Sequence, residues 1–416
     1  MRYPEMIRIR QVLDVPRVEN IEETVDREWE SIGGLRIRKG ASIAVTAGSR
    51  GVANIVCILR RLVQRIREAG GVPFLIPTMG SHGGGTAEGQ LEVLGSLGVT
   101  EESTGAPIRS SMEVVEIGKS RYGFPVMVDR YAAGADGIVV VNRIKPHTEF
   151  EGPIESGLMK MMAIGMGKHK GCFEVHRQAV QFGYREVIPE IGSVILSKLP
   201  ILMGFGIVEN IYDETAVIRA IPAPKILETE KELLVLAKRI MARLPFDRID
   251  VLVVDEMGKN VSGTGMDTNV IGRIMFIGER EPEKPRITRI VVLDLTEAAH
   301  GNAVGVGLAD YTTRRLVDKI DLHAMATNAI TAMTPEKGRI PLAMATDQEA
   351  VNAAFQTIGA VQPEEARVVH IRNTLELGEM EISSALMKET EGRPEIQVVR
   401  ETGPLQFDGS GAIRRV

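Results

Sequence analysis

Short apolar runs alternate along the chain with stretches in which apolar residues recur every three to four positions. Residues 41–46 (ASIAVT) form one such run, which stops at Ala47-Gly48-Ser49-Arg50. From 52 to 69, Ile55, Ile58, Leu59, Leu62, Val63 and Ile66 keep helical spacing until Gly70-Gly71 ends it. A second run, 72–76, leads into the loop PTMGSHGGGT. A third, 137–141 (GIVVV), feeds Asn142-Arg143-Ile144-Lys145-Pro146-His147. Strand, helix, strand in this order is the grammar of a parallel sheet with crossover connections.

The pattern returns later. Residues 249–254 (IDVLVV) read as a buried strand running into DEMGKNVSGTGMDTN, and 289–293 (RIVVL) as another. A helix is expected from 311 to 321, and a charged one from 228 to 243 that connects two halves. Leu244-Pro245-Phe246 breaks that helix, so the boundary is set at 243–248. The prediction is an α/β protein of two domains, 1–245 and 246–416. Each would hold a mainly parallel sheet flanked by helices, with the active site in the interdomain cleft. Residues beyond about 403 read as loosely ordered.

Composition narrows the class. A chain of 416 residues is too long for one ordinary core, and 44% apolar with 25% charged residues is globular. No apolar run approaches ~18 residues, and the first residues lack a signal pattern. Cys57 and Cys172 cannot make a disulfide framework, which points to a reducing, cytoplasmic setting. The net charge of −5 and 4% aromatics argue against nucleic acid as a partner.

Ligands of α/β sheets gather beyond the carboxyl ends of strands. Arg50, His82, His147 and the segment 255–269 all follow such strands. Glycine neighbours in Gly80-Ser81-His82-Gly83-Gly84-Gly85 leave the imidazole accessible, although the missing Gly-Lys-Ser/Thr excludes a P-loop. Pro146 fixes the backbone before His147. Paired histidines suit two-sided proton transfer near neutral pH, whereas each alone reads as a capping residue. Lys160 lies among apolar neighbours (GLMKMMAIG), where desolvation would make its amine nucleophilic; the bland alternative is a snorkelling surface lysine. Within HKGCFEVH, Cys172 and His176 could ligate a metal, but two donors alone indicate little. Farther on, Lys259, Asn269 and Arg273 crowd a glycine-rich loop suited to a carboxylate, or to nothing beyond a tight turn.

Taken in order, Arg50, Gly80-Ser81-His82, His147 with Lys160, and His176 resemble the motifs of the nickel-dependent lactate racemases and their 2-hydroxyacid racemase and epimerase relatives. The resemblance implies a nickel pincer nucleotide, a pyridinium-3,5-dithio-type mononucleotide carrying Ni(II), attached covalently to Lys160. It implies nickel ligation by His176, cofactor contacts from Ser49 and Arg50, and catalysis by His82, His147 and Arg50. The first domain would then carry the cofactor and the second, through Lys259, Asn269 and Arg273, would help bind substrate. The partners implied are a small 2-hydroxyacid and the proteins that build and load the cofactor; no membrane is expected, and a homo-oligomer is compatible.

The chain departs from the family pattern at Ala47, where the family has aspartate, and in a longer His147-to-Lys160 loop. After Asp267-Thr268-Asn269 it continues Val270-Ile271-Gly272-Arg273 without the family's Gln and Lys. Those differences point away from lactate itself. Competing readings are a zinc-dependent hydrolase or isomerase built on His147, His169, Cys172 or His176, and a non-catalytic organic-acid-binding relative.

Overall fold

The computed structural model describes residues 1–33 and 37–416. Strand β1 (Glu5–Gln11) opens the chain but belongs with its far end. One compact unit comprises 15–147 and 151–241, and the other 1–14, 148–150 and 242–416.

In the first unit, α1 (Ile21–Ser31) precedes β2 (Ser42–Ala47), α2 (Ile55–Glu68) and β3 (Val72–Pro77), as the apolar spacing predicts. Helix α2 buries Ile58, Leu59, Leu62, Val63 and Ile66, each contributing about 1.5–3 kcal/mol. A charge at Leu62 would break this face. Helices α3 (Ala87–Ser96) and α4 (Glu101–Thr104) follow, then the hairpin β4 (Val114–Lys119) and β5 (Pro125–Asp129), α5 (Arg130–Ala133) and β6 (Gly137–Arg143). After one turn of helix, α6 (Leu158–Lys160), comes a π turn, Met161–Gly165, then α7 (Lys168–Phe182) and α8 (Tyr184–Lys198). Strands β7 (Ile201–Glu209) and β8 (Thr215–Pro222) and helix α9 (Ile226–Ile240) finish the unit.

Its sheet runs β3-β2-β6-β7-β8, parallel except for the last pair. Met203, Phe205 and Ile207 of β7 face the core over α2. Gly204 and Gly206, on the opposite face, bring α6 and α9 close: a Cβ at Gly204 would lie 2.5 Å from Leu158 Cδ1. Two absent side chains thus seat the turn that carries Lys160.

The second unit contains β9 (Arg248–Val254), α10 (Thr268–Ile271), β10 (Arg286–Val292), β11 (Tyr311–Thr313), α11 (Arg314–Asp318), α12 (Leu322–Thr331), β12 (Leu342–Met344), α13 (Asp347–Phe355), β13 (Val368–Ile371), β14 (Glu379–Ser383) and β15 (Ile396–Pro404). Strands β12-β11-β10-β9-β13 are parallel, and β14, β1 and β15 extend the sheet antiparallel. The protein is therefore α/β with mainly parallel sheets between helices.

Three expectations meet differences. Residues 1–14 were assigned by position to the first domain, but β1 pairs with β14 and β15. The expected helix at 311–321 begins as β11, because Tyr311-Thr312-Thr313 favours a strand and pairs with β10. The tail past 403 is held rather than loose: Leu405 and Ile413 are buried, Arg415 Nη1 donates to Asp255 Oδ1 at 3.1 Å, and the Val416 amide donates to Asp255 Oδ2. Within this unit Thr148–Phe150 is also seated, with Thr268 Oγ1 donating to the Thr148 carbonyl at 2.8 Å.

Candidate active site

The carboxyl ends of β2 and β3 lie side by side, which brings the Ser49 and His82 loops together. Ser49 Oγ stands 2.5 Å from His82 Nδ1. That contact orients an otherwise exposed imidazole. Close approach demands glycine here: a Cβ at Gly83, where φ is +65°, would lie 2.5 Å from the Gly89 backbone. From beneath, buried Gln90 Nε2 donates to the Gly80 carbonyl at 2.9 Å. Gln90 Oε1 accepts from Lys168 Nζ at 3.1 Å, and Lys168 also donates to the Pro77 carbonyl and pairs with Asp129 at 3.0 Å. Lys168 and Asp129 are fully buried. Burial lowers the lysine pKa against the pull of Asp129. Arg50 follows β2; desolvation and then the like charge of Arg143 lower its pKa.

After β6 the chain makes an excursion closed by paired backbone bonds between Lys145 and Ser156. Glu155 fixes its tip, accepting the His147 N–H at 2.7 Å and the Gly152 N–H at 3.0 Å while pairing with Lys238 of α9 at 2.6 Å. Burial raises the Glu155 pKa, with those donors opposing. His147 is 9% exposed. Its Nε2 lies 2.6 Å from Lys160 Nζ, so the excursion places the imidazole against the amine.

Lys160 sits where a single α turn passes into the π turn, and the Met166 N–H reaches the Met161 carbonyl. Such turns recur at functional sites because the inserted residue redirects the chain. His176, on α7, puts Nδ1 2.5 Å from the Tyr184 hydroxyl, and the Tyr184 ring lies 6.0 Å from that of His147. Cys172, one turn before His176, meets it and Ser81. Burial alone would raise the thiol pKa, but His176 and then the Ser81 amide and hydroxyl outweigh it and lower it. His147 and Lys160 thus touch, His176 joins them through Tyr184, and the His82 loop joins through Ser81 and Cys172. His169 lies apart from this chain of contacts, beside Gly85.

Lys259, Asn269 and Arg273 belong to the other unit. Lys259 Nζ donates to the Gly263 carbonyl at 2.6 Å and Asn269 Nδ2 to Asp267 at 2.9 Å. The Arg273 guanidinium bonds Asp310 through both Nη atoms at 3.1 Å and the Leu308 carbonyl at 2.7 Å.

Residues 23–185, which contain His82, His147, Lys160 and His176, match the family model "Lactate racemase N-terminal domain". That stretch is lactate racemase-like. Its fold resembles that of the lactate racemase apoprotein of Thermoanaerobacterium thermosaccharolyticum, with a TM-score of 0.53 over 89% of this chain and 99% of that one, at 13% identity. No curated protein matches the chain.

Lactate racemase-like motifs led to His82, His147, Lys160 and His176 but not to the residues that hold them. Glu155, Tyr184, Gln90, Asp129 and Glu230 escaped the sequence reading. Only Glu230 left a signal: it occupies a position on the apolar stripe Ile226, Leu233, Leu234, Ala237 of α9. Among the described residues no group of three or more His, Cys, Asp or Glu is placed to hold a metal, and no helix is long and apolar enough to cross a membrane.

Proposed function

We propose that this protein inverts the hydroxyl-bearing carbon of a small 2-hydroxyacid, as a racemase or epimerase, using a nickel pincer nucleotide attached to Lys160. The observation that carries the reading is the 2.6 Å approach of Lys160 Nζ to His147 Nε2 inside the lactate racemase-like domain. An amine so placed suits covalent attachment. The donors fit as well: one imidazole, with no cage of protein ligands among the described residues, suits a nickel ion whose other donors come with the nucleotide. A structural zinc site needs roughly four protein donors.

When bound, the nucleotide supplies a hydride acceptor beside a nickel ion. The chain's residues supply the rest. His176 would hold nickel through Nε2, its Nδ1 being engaged by Tyr184. His147 and His82 would each exchange the hydroxyl proton with one hand of substrate, so that one histidine takes it from the incoming hand and the opposite one supplies it to the inverted product. Inversion swings the hydroxyl across the carbon, so one base cannot serve both directions. Ser49 keeps the His82 ring in one orientation. Arg50 would neutralise the carboxylate or the developing oxyanion.

Lys259, Asn269 and Arg273 are proposed for the substrate carboxylate, Arg273 then exchanging Asp310 for it. Without the family's Gln and Lys there, the substrate is proposed to be larger or more polar than lactate. The working compartment is the cytoplasm, where proteins that make and load the cofactor act on the apoprotein.

Protein co-expressed with the cofactor pathway should carry an adduct at Lys160 by peptide mass spectrometry. It should interconvert the enantiomers of at least one member of a panel of chiral 2-hydroxyacids, read by chiral chromatography. Lys160→Ala should lose both properties. Full turnover by that variant would end the proposal.

A further inference from the structure

A one-turn helix has amide donors at its start and no turn above to accept them. In α6 these are Leu158 and Met159, and Gly157 offers no side chain to cap them. The acceptor comes from far along the chain: Glu230 Oε2 takes the Met159 N–H at 2.9 Å across 71 residues, and Leu158 N–H bonds the same carboxyl. Glu230 is 1% exposed, and its Oε1 has no hydrogen-bond partner among the described residues. Burying a carboxyl with one oxygen unsatisfied costs about 1–3 kcal/mol, so local stability alone does not account for it. Burial pushes its pKa up to about 8, which keeps it neutral at physiological pH and lessens that cost.

The surroundings are shaped to the carboxyl. A Cβ at Gly157 would stand 2.2 Å from Glu230 Oε1, so only glycine admits it. Asn142 Nδ2 holds the Gly157 carbonyl at 2.8 Å. Downstream of Lys160 the π turn fixes the chain from the other side. The same helix, α9, sends Lys238 to Glu155, which grips the His147 backbone. One helix therefore anchors both members of the Lys160–His147 pair.

We propose that Glu230 is a positioning residue for the Lys160 amine: docked on the Leu158 and Met159 amides, it fixes the turn that aims Nζ at His147 Nε2. The inference rests on the reading of Lys160 as the attachment site. Its test uses apoprotein, so it fails or stands independently of cofactor loading and turnover.

Apoprotein is treated with limiting sulfosuccinimidyl acetate, and acetylation of Lys160 is followed by peptide mass spectrometry relative to exposed Lys198. Glu230→Leu should change the Lys160 rate at least about threefold, while Glu230→Gln, which keeps an acceptor on both amides, should stay within about twofold of wild type. In a His147→Ala background, Glu230→Leu should have little further effect, because the target of the aim is gone. A folded Glu230→Leu protein that labels like wild type overturns the proposal, and so does an undiminished effect without His147. Should Glu230→Leu not fold, Glu230→Gln decides, and a change beyond about twofold there overturns it.

Discussion

The Tyr184 hydroxyl lies 2.5 Å from His176 Nδ1, with the two rings edge-on at 85°. This contact sets which nitrogen of the imidazole does what. A metal-binding histidine is aimed by the partner of its other nitrogen, and loss of such a partner costs roughly 10–100-fold in metal affinity. Tyr184→Phe should therefore retain nickel about tenfold less well. The check is nickel content by elemental analysis after dialysis of the loaded protein, with the Lys160 adduct still present by mass. Equal retention would show that Tyr184 is packing alone.

Ser49 and His82 make a second such pair. If this contact orients the His82 ring, Ser49→Ala should lower kcat/KM by about tenfold or more in both directions, because inversion uses both histidines whichever hand of substrate enters. Initial rates from each pure enantiomer measure it, and an unchanged kcat/KM would count against Ser49 as a positioning residue. His82→Ala and His147→Ala should each abolish inversion while leaving the adduct in place.

Glu230 makes stability depend on pH with a definite sign. Its folded pKa of about 8 exceeds the ordinary 4.5, so the folded protein holds a proton that the unfolded chain has released. Stability from this group is highest below pH 4.5 and falls as pH rises to about 8, by up to ~1.4 kcal/mol per unit. Glu230→Gln should remove that slope. Urea unfolding at pH 5, 7 and 9 should show the variant gaining on wild type as pH rises; parallel curves would contradict it.

Lys168 and Asp129 form an ion pair with no exposure to water. Removing one partner strands a buried charge, so Lys168→Met should destabilise by about 3–5 kcal/mol in urea unfolding. Asp129 also caps α5 through Oδ1. Adding Asp129→Asn, which can keep that cap, should recover at least ~1 kcal/mol. No recovery would mean that the loop contacts to Pro77 and Gln90, not the charge, dominate.

Much of the frame was legible because β2, β3, β6, β9, β10 and α2 declare themselves by spacing, whereas the equally buried β7 and β13 were not read. Leu59, Leu62 and Ile66 of α2 are buried as their period requires. The site residues were legible as types after strand ends, but their contacts were not. Nothing in the residues from Lys145 to Lys160 announces that the loop folds back through the Lys145–Ser156 pair. The contact between Ser49 and His82 was likewise not read. The burial of Lys168 depends on Asp129 and Gln90, distant in sequence. Contacts between remote side chains have no period to read.

Helix α9 has a consequence for how the protein is made. Residues 23–185 hold the histidines and Lys160, yet Glu230 and Lys238 emerge from the ribosome only after that stretch is complete. Domains settle as synthesis proceeds from the N-terminus. The reactive pair therefore takes up its final arrangement late, once nearly the whole first unit exists, and a chain cut at 185 would carry the chemistry without its backing.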